Sequence, residues 1–246
     1  MVDASINLPQ LVWSHVGDDD AREAVAWKSP TGWVKTSLGE FKAMVREIAL
    51  GLHALGIGPG DKVAIHSENR TEWIAADLAT ITLGAAAVPI YTTQPLDQIR
   101  YILEHAEAKA IFISGPEMAG TSRGAANALD LHVIAFDPLD AMGEREITLS
   151  ELREKGRAGD ASAYDRWLTE RGADDIAALI YTSGTTGTPK GVLLSHANLS
   201  HNIGVALEGG FFAVEPRVEG GKLLSFLPFA HVYEHTGAYA FLCTRY

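Results

Sequence analysis

A run of hydroxyl residues, glycines and one lysine lies between two apolar stretches in the last third of the chain. The hydroxyl side chains can donate hydrogen bonds, and the glycines, Gly191 among them, allow the backbone to approach an anion closely. The ammonium group of Lys190 supplies a positive charge for phosphate oxygens. Because residues 176–181 and 192–194 are apolar and predict buried strands, the pattern indicates a phosphate-binding turn between two strands. The candidate phosphate-binding residues are Thr182, Ser183, Gly184, Thr185, Thr186, Gly187, Thr188 and Lys190.

This run is not the P-loop of nucleoside triphosphatases. Its glycines and its lysine are spaced differently, and a strand rather than a helix follows it. Pro189 restricts Thr188 to an extended conformation, which stiffens the exit from the turn. Composition alone leaves a second interpretation open, in which the run is a flexible turn that binds no ligand.

Short apolar stretches alternate with helical patterns over residues 61–137, and they predict the elements that position this turn. Strands that alternate with helices of this length indicate βαβ units and a parallel sheet, and continuous apolar runs indicate that helices cover both of its faces. Ser37 and Glu40 have the spacing of a capping box at the start of an earlier helix. The predicted strands are 62–66, 85–90, 109–114 and 132–136, and the predicted helices are 37–55, 69–83 and 95–106.

The predicted fold class is therefore α/β, with a largely parallel sheet covered by helices, in one domain of four parts. Residues 1–60 form a lead-in of helix and strand, and residues 61–137 form the parallel βαβ core. Residues 138–174 are polar and rich in Glu, Arg and Asp, which predicts a surface excursion. Residues 175–246 carry the phosphate-binding turn.

Composition narrows the class of partner. The chain has 246 residues, of which 47% are hydrophobic, and a formal net charge of -11. Nucleic-acid phosphates and anionic lipids are bound by basic faces, so this acidic balance disfavours both a nucleic-acid partner and electrostatic docking on a membrane. Peripheral membrane contact through an apolar patch stays open. Cys243 is the single cysteine, which excludes a disulfide within the chain and fits a reducing cytoplasm.

Residues 181–191 resemble the signature phosphate-binding loop of the adenylate-forming superfamily, which includes acyl-CoA synthetases, luciferases and nonribosomal-peptide adenylation domains. The resemblance extends over almost the whole chain. Residues 37–65 are similar to the family's entry helix and first core strand, residues 83–89 to its second conserved block, and residues 227–234 to its fourth. The chain is identified as similar to the N-terminal part of a long-chain fatty acyl-CoA synthetase of the AMP-forming type.

The resemblance implies a reaction in two halves. A carboxylate attacks the α-phosphate of ATP to give an acyl-adenylate and pyrophosphate, and the thiol of coenzyme A then displaces AMP. In the family, the loop that corresponds to residues 182–190 holds the β- and γ-phosphates, and the residue that matches Thr182 also helps to bind Mg²⁺. One hydroxyl is a poor Mg²⁺ site by itself, so an acidic partner is needed. ATP, Mg²⁺ and coenzyme A are therefore the expected cofactors of the whole enzyme.

His231 is the candidate catalytic residue. On its own, a histidine beside aromatic residues is more often a core residue than a functional one. The family match puts His231 beside the acyl pocket and the adenylate, so residues 175–246 would also hold the start of the acyl-pocket region. The implied role of His231 is orientation and packing rather than proton transfer, and residues 233–235 would line the same wall.

The residues around His231 also bear on the substrate. Amino-acid adenylation domains carry an Asp in the fourth block that binds the substrate ammonium, and residues 229–232 contain no Asp. An unpaired ammonium in an apolar pocket is costly, so an amino-acid substrate is disfavoured. Residues 88–93 and 230–234 are most similar to long-chain fatty acyl-CoA synthetases, which makes a fatty acid and ATP the expected substrates. A carrier protein stays open as the acceptor in place of coenzyme A.

The family's later blocks do not occur in these 246 residues. They contain the Mg²⁺-binding Glu, the Asp that binds the ribose, and the catalytic Lys of the mobile C-terminal domain. We therefore expect a fragment that is inactive alone and that exposes apolar surface through which it could self-associate. The alternative is a non-catalytic module that binds nucleotide weakly or pairs with a partner.

Overall fold

The computed structural model describes residues 6–182, 188–208 and 221–244 of the chain. Within those ranges helices and strands alternate along most of the chain, as the sequence predicts. The elements are α1 (Leu8–Val16), β1 (Glu23–Ser29), β2 (Gly32–Ser37), α2 (Leu38–Ala54), β3 (Lys62–His66), α3 (Thr71–Leu83), β4 (Ala86–Ile90), α4 (Leu96–His105), β5 (Ala108–Ile113), α5 (Pro116–Ala128), β6 (His132–Ala135), β7 (Glu146–Thr148), α6 (Leu149–Arg157), α7 (Ala161–Glu170), β8 (Ile176–Thr182), β9 (Lys190–Ser195), α8 (His196–Glu208) and α9 (Val232–Thr244).

The main sheet has the strand order β7-β6-β5-β3-β4-β8-β9. Its neighbours pair in parallel from β7 to β8, and β9 alone among these strands runs antiparallel to its partner, β8. The chain passes from β3 to β4 on one side and then to β5 on the other side of β3, so the winding direction reverses between β3 and β5. This sheet confirms the predicted α/β class with a largely parallel sheet.

Helices cover both faces of the sheet, and alternate residues of β3 point to opposite cores. Val63 and Ile65 belong to the larger core, which includes residues of α2, α3 and α6, whereas Ala64 belongs to a smaller core formed with α4 and α5. Val63, Ala64 and Ile65 are fully buried. Each large apolar side chain buried in this way contributes about 1.5–3 kcal/mol. Burial on both faces explains why the strands are continuous apolar runs rather than alternating ones.

Capping residues define where α2 and α6 begin. The side chain of Ser37 accepts the Glu40 backbone N–H, and the Glu40 carboxylate accepts the Ser37 N–H at 2.8 Å, which confirms the predicted capping box. Thr148 and Glu151 form the same reciprocal pair at the start of α6. Each such cap stabilises its helix by about 1 kcal/mol, because it satisfies backbone donors that the helix leaves unpaired.

Residues 138–174 differ from the predicted surface excursion. The segment adds β7 to the main sheet, beside β6, and α6 packs against α2. Leu152 and Trp167 are buried in the larger core. The prediction failed because α6 and α7 each bury only a narrow apolar stripe, so their composition is dominated by the polar residues that face solvent. Helix α5 was likewise absent from the predicted elements.

The lead-in of residues 1–60 is described from Ile6 onward. It contributes α1, α2 and an antiparallel hairpin of β1 and β2 that forms a separate two-stranded sheet. The capping box of Asn7 and Gln10 starts α1, and the Asn7 amide also donates to the Leu168 carbonyl at 2.8 Å. Across the described ranges, none of the helices combines the length and the apolar character needed to cross a bilayer.

Candidate functional site

The predicted phosphate-binding turn connects β8 to β9. Thr182 and Lys190 face each other as the last register pair of these strands, and both side chains are exposed. Thr188 is also exposed, whereas Pro189 is buried. The predicted residues Ser183, Gly184, Thr185, Thr186 and Gly187 lie outside the described residues. The described part of the turn therefore brings two hydroxyls and one ammonium together at one end of the hairpin.

Parallel pairing puts this end of the hairpin at the carboxyl edge of the sheet. Strand β8 runs parallel to β4, and β4 runs parallel to β3. The residues that follow β3, from Ser67 to Arg70, therefore lie at the same edge as Thr182. Two strand spacings separate β3 from β8, which is roughly 10 Å. In open α/β sheets ligands bind outside this edge.

Tyr181 and Gly191 fix the hairpin to the sheet. The Tyr181 hydroxyl hydrogen-bonds Nδ1 of His105 on α4 at 2.7 Å, and burial raises the pKa of Tyr181 to about 12, so the phenol stays neutral. A Cβ at Gly191 would lie 2.8 Å from Cδ1 of Leu179 and 3.3 Å from Cζ of Tyr181. Gly191 is therefore required for the close approach of these side chains within the strand pair, and its predicted contact with an anion stays a prediction.

Lys190 has no acidic partner among the residues that the structure describes. Its ammonium group forms no ion pair with any carboxylate in the part of the chain that the structure describes. An exposed, unpaired ammonium beside the hydroxyls of Thr182 and Thr188 is suited to an anionic ligand with several oxygens, such as a polyphosphate.

His231 lies on a different piece of chain, residues 221–244, which we call the site segment. It immediately precedes α9, and its Nδ1 accepts a hydrogen bond from the Tyr233 backbone N–H at 3.2 Å. The imidazole thus acts as a helix cap, and the neutral ring carries its proton on Nε2. The His231 side chain is exposed, so this proton can be donated to a ligand outside the fold.

The neighbours of His231 divide into exposed and buried residues. Tyr233 is exposed, while Glu234 and His235 are buried, so the three residues predicted to form one wall point in different directions. Glu234 accepts a hydrogen bond from the Ser225 hydroxyl within the site segment. The site segment therefore presents His231 and Tyr233 outward and uses the two residues that follow to hold itself in place.

Sequence reasoning missed two side chains that hold the site segment. The Asn69 amide hydrogen-bonds the backbone of Leu227 and Phe229, and Asp77 on α3 pairs with Nε2 of His235 at 2.7 Å. Asp77 also accepts a hydrogen bond from the Tyr239 hydroxyl, and all three side chains of this cluster are buried. An Asp within an apolar helix was the available signal, because a buried carboxylate needs partners.

The crevice where the winding of the sheet reverses is occupied by Arg70. Its guanidinium donates to Glu72 at 2.9 Å and to Asp137 at 2.7 Å. It also lies over the rings of Trp27 and Phe136, at 5.0 and 5.5 Å from their centroids. This position often binds a ligand in sheets of this kind. Here an internal ion-pair network fills it, and the exposed polar groups lie instead beyond β8.

The described residues do not supply a complete magnesium site. Among them there is no group of three or more His, Cys, Asp or Glu side chains that could hold a metal ion. Thr182 offers one neutral hydroxyl, whereas Mg²⁺ requires about six oxygen ligands, usually including carboxylates and substrate phosphates. Thr182 thus fits a single ligand position, with the other ligands supplied from elsewhere.

Comparison with protein families gives a match over nearly the whole chain. The model of a family described as "AMP-binding enzyme" matches residues 13–245. The long-chain-fatty-acid–CoA ligase FadD15 of Mycobacterium bovis is 35% identical over 231 residues, which are 92% of this chain and 37% of FadD15. The chain therefore spans little more than a third of the length of this relative.

Two further proteins extend the comparison. The long-chain-fatty-acid–[acyl-carrier-protein] ligase AEE15 of Arabidopsis thaliana is 29% identical over 222 residues, covering 84% of this chain and 30% of AEE15. The crystal structure of ATP-bound MatB from Rhodopseudomonas palustris has a TM-score of 0.75 and 26% sequence identity, covering 98% of this chain and 44% of MatB. The α/β architecture described above is thus shared with an enzyme whose structure contains ATP.

Proposed function

Because the chain belongs to the family of AMP-binding enzymes, we propose that it forms the phosphate-binding part of a fatty acid–CoA ligase. In the proposed reaction a fatty-acid carboxylate attacks the α-phosphate of ATP, and the bond to the β-phosphate breaks to release pyrophosphate. The thiol of coenzyme A then attacks the acyl-adenylate carbonyl, and AMP leaves. The observation that supports this proposal most is the end of the β8–β9 hairpin, which presents two hydroxyls and an ammonium that forms no ion pair within the described ranges.

The residues of the hairpin would act by position and charge. Lys190 would neutralise negative charge on the β- and γ-phosphates and on the leaving pyrophosphate, and the hydroxyls of Thr182 and Thr188 would donate hydrogen bonds to the same oxygens. Thr182 would offer one ligand to Mg²⁺, which when bound would supply positive charge to the phosphates. Groups of this kind accelerate a reaction when they stabilise the charge that develops in the transition state more than the charge of the ground state.

The site segment would form the part of the site that receives the carboxylate of the fatty acid. His231 would donate its Nε2 proton as a hydrogen bond that orients the reacting groups, while Nδ1 remains bonded to the Tyr233 N–H. The fatty-acid substrate is supported by the name of FadD15 and by the lack of an Asp at residues 229–232. We propose a cytoplasmic location for the whole enzyme, with any membrane contact or self-association made through exposed apolar residues such as Leu224 and Phe226.

A second candidate function differs only in the acceptor. AEE15 is named for an acyl-carrier protein as its acceptor, so the acyl-adenylate of this enzyme could be passed to a carrier protein instead of coenzyme A. Supplying each acceptor separately to the acyl-adenylate distinguishes the two functions. Formation of thioester only on the carrier protein would replace the coenzyme A proposal.

The experiment that tests the first half-reaction is exchange of labelled pyrophosphate into ATP in the presence of a long-chain fatty acid. In the ligase that contains this chain, Lys190→Ala should slow exchange on the order of 100-fold, because one preorganised charge is lost from the phosphate site. Lys109→Ala is the matched control, since Lys109 is exposed near the start of β5, at the opposite edge of the sheet. Equal exchange by both variants would remove Lys190 from the phosphate site.

Assays on the 246-residue chain alone test whether it is an enzyme fragment or a non-catalytic module. We expect it to catalyse no exchange, because the ribose-binding and magnesium-binding carboxylates of the family do not occur in this sequence. Calorimetric titration with tripolyphosphate should nevertheless detect weak binding that Lys190→Ala lowers and Lys109→Ala does not. Exchange at an enzymatic rate by this chain alone would contradict the division of the site that we propose.

A further inference from the structure

The side-chain amide of Asn69 makes two hydrogen bonds to one short stretch of the site segment. Its Nδ2 donates to the Leu227 carbonyl at 2.7 Å, and its Oδ1 accepts from the Phe229 backbone N–H at 2.9 Å. These partners are 158 and 160 residues away along the chain. Because one bond uses the donor and the other the acceptor of the same planar amide, the pair fixes both the position and the direction of the backbone that it holds.

Asn69 is itself held firmly at the carboxyl edge of the sheet. It follows the end of β3 by three residues and precedes Arg70, whose side chain is only 5% exposed. The bonds of Arg70 to Glu72 and Asp137 tie this loop to α3 and to the residues after β6. The loop can therefore act as a fixed support for the amide rather than moving with the stretch that it binds.

The stretch that Asn69 holds is supported on its N-terminal side by polar contacts of Lys222 and Ser225 rather than by packing. Leu224 and Phe226 are 71% and 74% exposed, so the described residues before Leu227 do not anchor it by packing. Beyond it, the Phe229 ring packs against Trp73 of α3 at 5.2 Å. The His231 backbone N–H then donates to the Pro228 carbonyl at 2.9 Å, which closes the turn before α9. Asn69 thus holds the stretch just ahead of the turn that aims His231.

We propose that Asn69 is a positioning residue for the fatty-acid half of the site. Asn69 follows β3 and the phosphate-binding hairpin follows β8, so the two lie at the same edge of the sheet, two strands apart. By holding the stretch before His231, Asn69 sets the distance and direction of His231 relative to that hairpin. This inference rests on the proposed function for its catalytic consequence. Its structural content, that Asn69 determines where the site segment lies, stands independently.

Two substitutions of Asn69 separate the two hydrogen bonds. Asn69→Ala removes both and leaves the Leu227 carbonyl and the Phe229 N–H without their partner. Asn69→Asp keeps the acceptor for Phe229 but loses the donor to Leu227. Asn202→Ala is the matched control, because Asn202 is exposed on α8 and donates to the Asn198 carbonyl of its own helix.

The first measurement is amide hydrogen exchange in the 246-residue chain, which does not depend on activity. Hydrogen exchange at Phe229 and over residues 230–235 should be about tenfold faster in Asn69→Ala than in the unsubstituted chain. The increase should be smaller in Asn69→Asp and absent in Asn202→Ala. Exchange over α4 and α5 should not change in any variant. Unchanged exchange at Phe229 in Asn69→Ala would overturn the inference, and so would an equal increase across the whole chain.

The second measurement is fatty-acid-dependent pyrophosphate exchange by the ligase that contains this chain. Asn69→Ala should lower kcat/KM for the fatty acid about 10-fold to 100-fold, while KM for ATP changes less than about twofold, because a misplaced group costs rate only where it meets the substrate. Asn69→Asp should recover part of the loss. If the kinetic parameters for the fatty acid and for ATP worsened equally, Asn69 would have only a structural role and would not position the fatty-acid half of the site. If the unsubstituted ligase shows no exchange, the proposed function fails, and hydrogen exchange still decides whether Asn69 places the site segment.

Discussion

The segment between β6 and β8 and the site segment are held to the same core by different kinds of contact. Helix α6 approaches α2 so closely that glycine is the only residue that fits at Gly51 and Gly156. The site segment is held in a different way: α9 packs into the same core through residues such as Tyr239, but the stretch before α9 is attached by Asn69 and the Phe229 ring and leaves Phe226 exposed. Helix α6 is thus fixed by close packing, whereas the stretch before α9 is fixed at a few points.

Because of this difference, substitutions in the closely packed region should mainly lower stability, whereas those at a single attachment point should mainly displace site residues. Close packing over a long contact loses several kcal/mol when a single atom is added, because the neighbouring backbone has to move. A hydrogen bond contributes about 1 kcal/mol net, so a change at one point of attachment shifts the site segment without unfolding the protein. Substitutions in the two segments are therefore expected to differ in kind as well as in size.

The largest effect is expected for Gly156→Ala. A Cβ at this position would lie 1.9 Å from the Glu47 carbonyl oxygen and 2.7 Å from its carbon, so α6 would have to move away from α2. We expect the free energy of unfolding of the chain, measured by urea denaturation, to fall by about 4 kcal/mol. The α6 helix itself should gain from alanine, so the measured loss is smaller than the packing cost.

Gly120→Ala is the matched control for this substitution. Gly120 lies within α5, and a Cβ there would meet no atom within 4 Å. Alanine should therefore stabilise the protein by up to about 1 kcal/mol through helix propensity and the loss of unfolded-state freedom. A similar loss for both variants would mean that α6 is not packed against α2 as closely as its glycines indicate.

A smaller loss of stability is expected when the buried carboxyl group of Asp77, which holds α9, is removed. Asp77→Ala removes the partner of both His235 and the Tyr239 hydroxyl, and the whole cluster is buried. The unfolding free energy should fall by about 3 kcal/mol, since two polar groups lose their partner away from water. Near-ultraviolet circular dichroism should change as well, because His235 lies 5.3 Å from the Trp73 ring.

The double variant tests whether this loss comes from the cluster. Tyr239→Phe alone should cost about 1 kcal/mol, the value of one buried hydrogen bond. In the Asp77→Ala background the same change should cost nothing or stabilise, which corresponds to a coupling of about 1 kcal/mol between the two residues. Additive losses would show that Asp77 acts on α9 through some other contact.

The same contrast explains how far the fold could be predicted. Strands such as Lys62–His66 were predictable because burial on both faces leaves a continuous apolar run, and α2 was predictable because Ser37 and Glu40 cap it locally. The position of α6 was not, because the contact of Gly156 with Glu47 joins residues about a hundred positions apart and leaves no local periodicity.

For the candidate site, as for the fold, only the features that depend on residues close together in the sequence could be predicted. Thr182 and Lys190 could be identified because all residues of the turn are adjacent in sequence and have the composition of a phosphate-binding loop. The roles of Thr182, Thr188, Lys190 and His231 in binding and catalysis remain predictions. The support of His231 by Asn69 could not be predicted, since an Asn beside an Arg carries no sign of a partner that lies 160 residues later.

The smallest of the three effects concerns a buried histidine that joins α8 to α1. His196, at the start of α8, accepts the Leu8 backbone N–H through Nδ1 at 3.3 Å, and burial lowers its pKa to about 4. The unfolded chain has an ordinary histidine pKa of about 6.5 and so binds more protons between pH 6.5 and pH 4. The contribution of His196 is therefore complete above pH 6.5 and is lost as the pH falls towards 4.

We expect this contribution to amount to about 2 kcal/mol between pH 7 and pH 5. His196→Asn keeps an acceptor for Leu8 but cannot be protonated, so its unfolding free energy should fall less over this range than that of the unsubstituted chain. The pKa of His66 is also lowered to about 4 by burial, and its share should persist in the variant. Glu146, whose pKa is lowered to about 2 by its bonds to Arg123, loses its contribution only below pH 4.5 and does not interfere.

His201→Asn is the control on the same helix, because the His201 side chain is exposed. Its urea midpoint should follow that of the unsubstituted chain at every pH from 7 to 5. If His196→Asn also follows it, the His196 ring is protonated in the folded state at pH 5, and the contact of α1 with α8 does not depend on a neutral imidazole. A reduced slope for His196→Asn alone would establish that the neutral His196 ring contributes to holding α1 against α8.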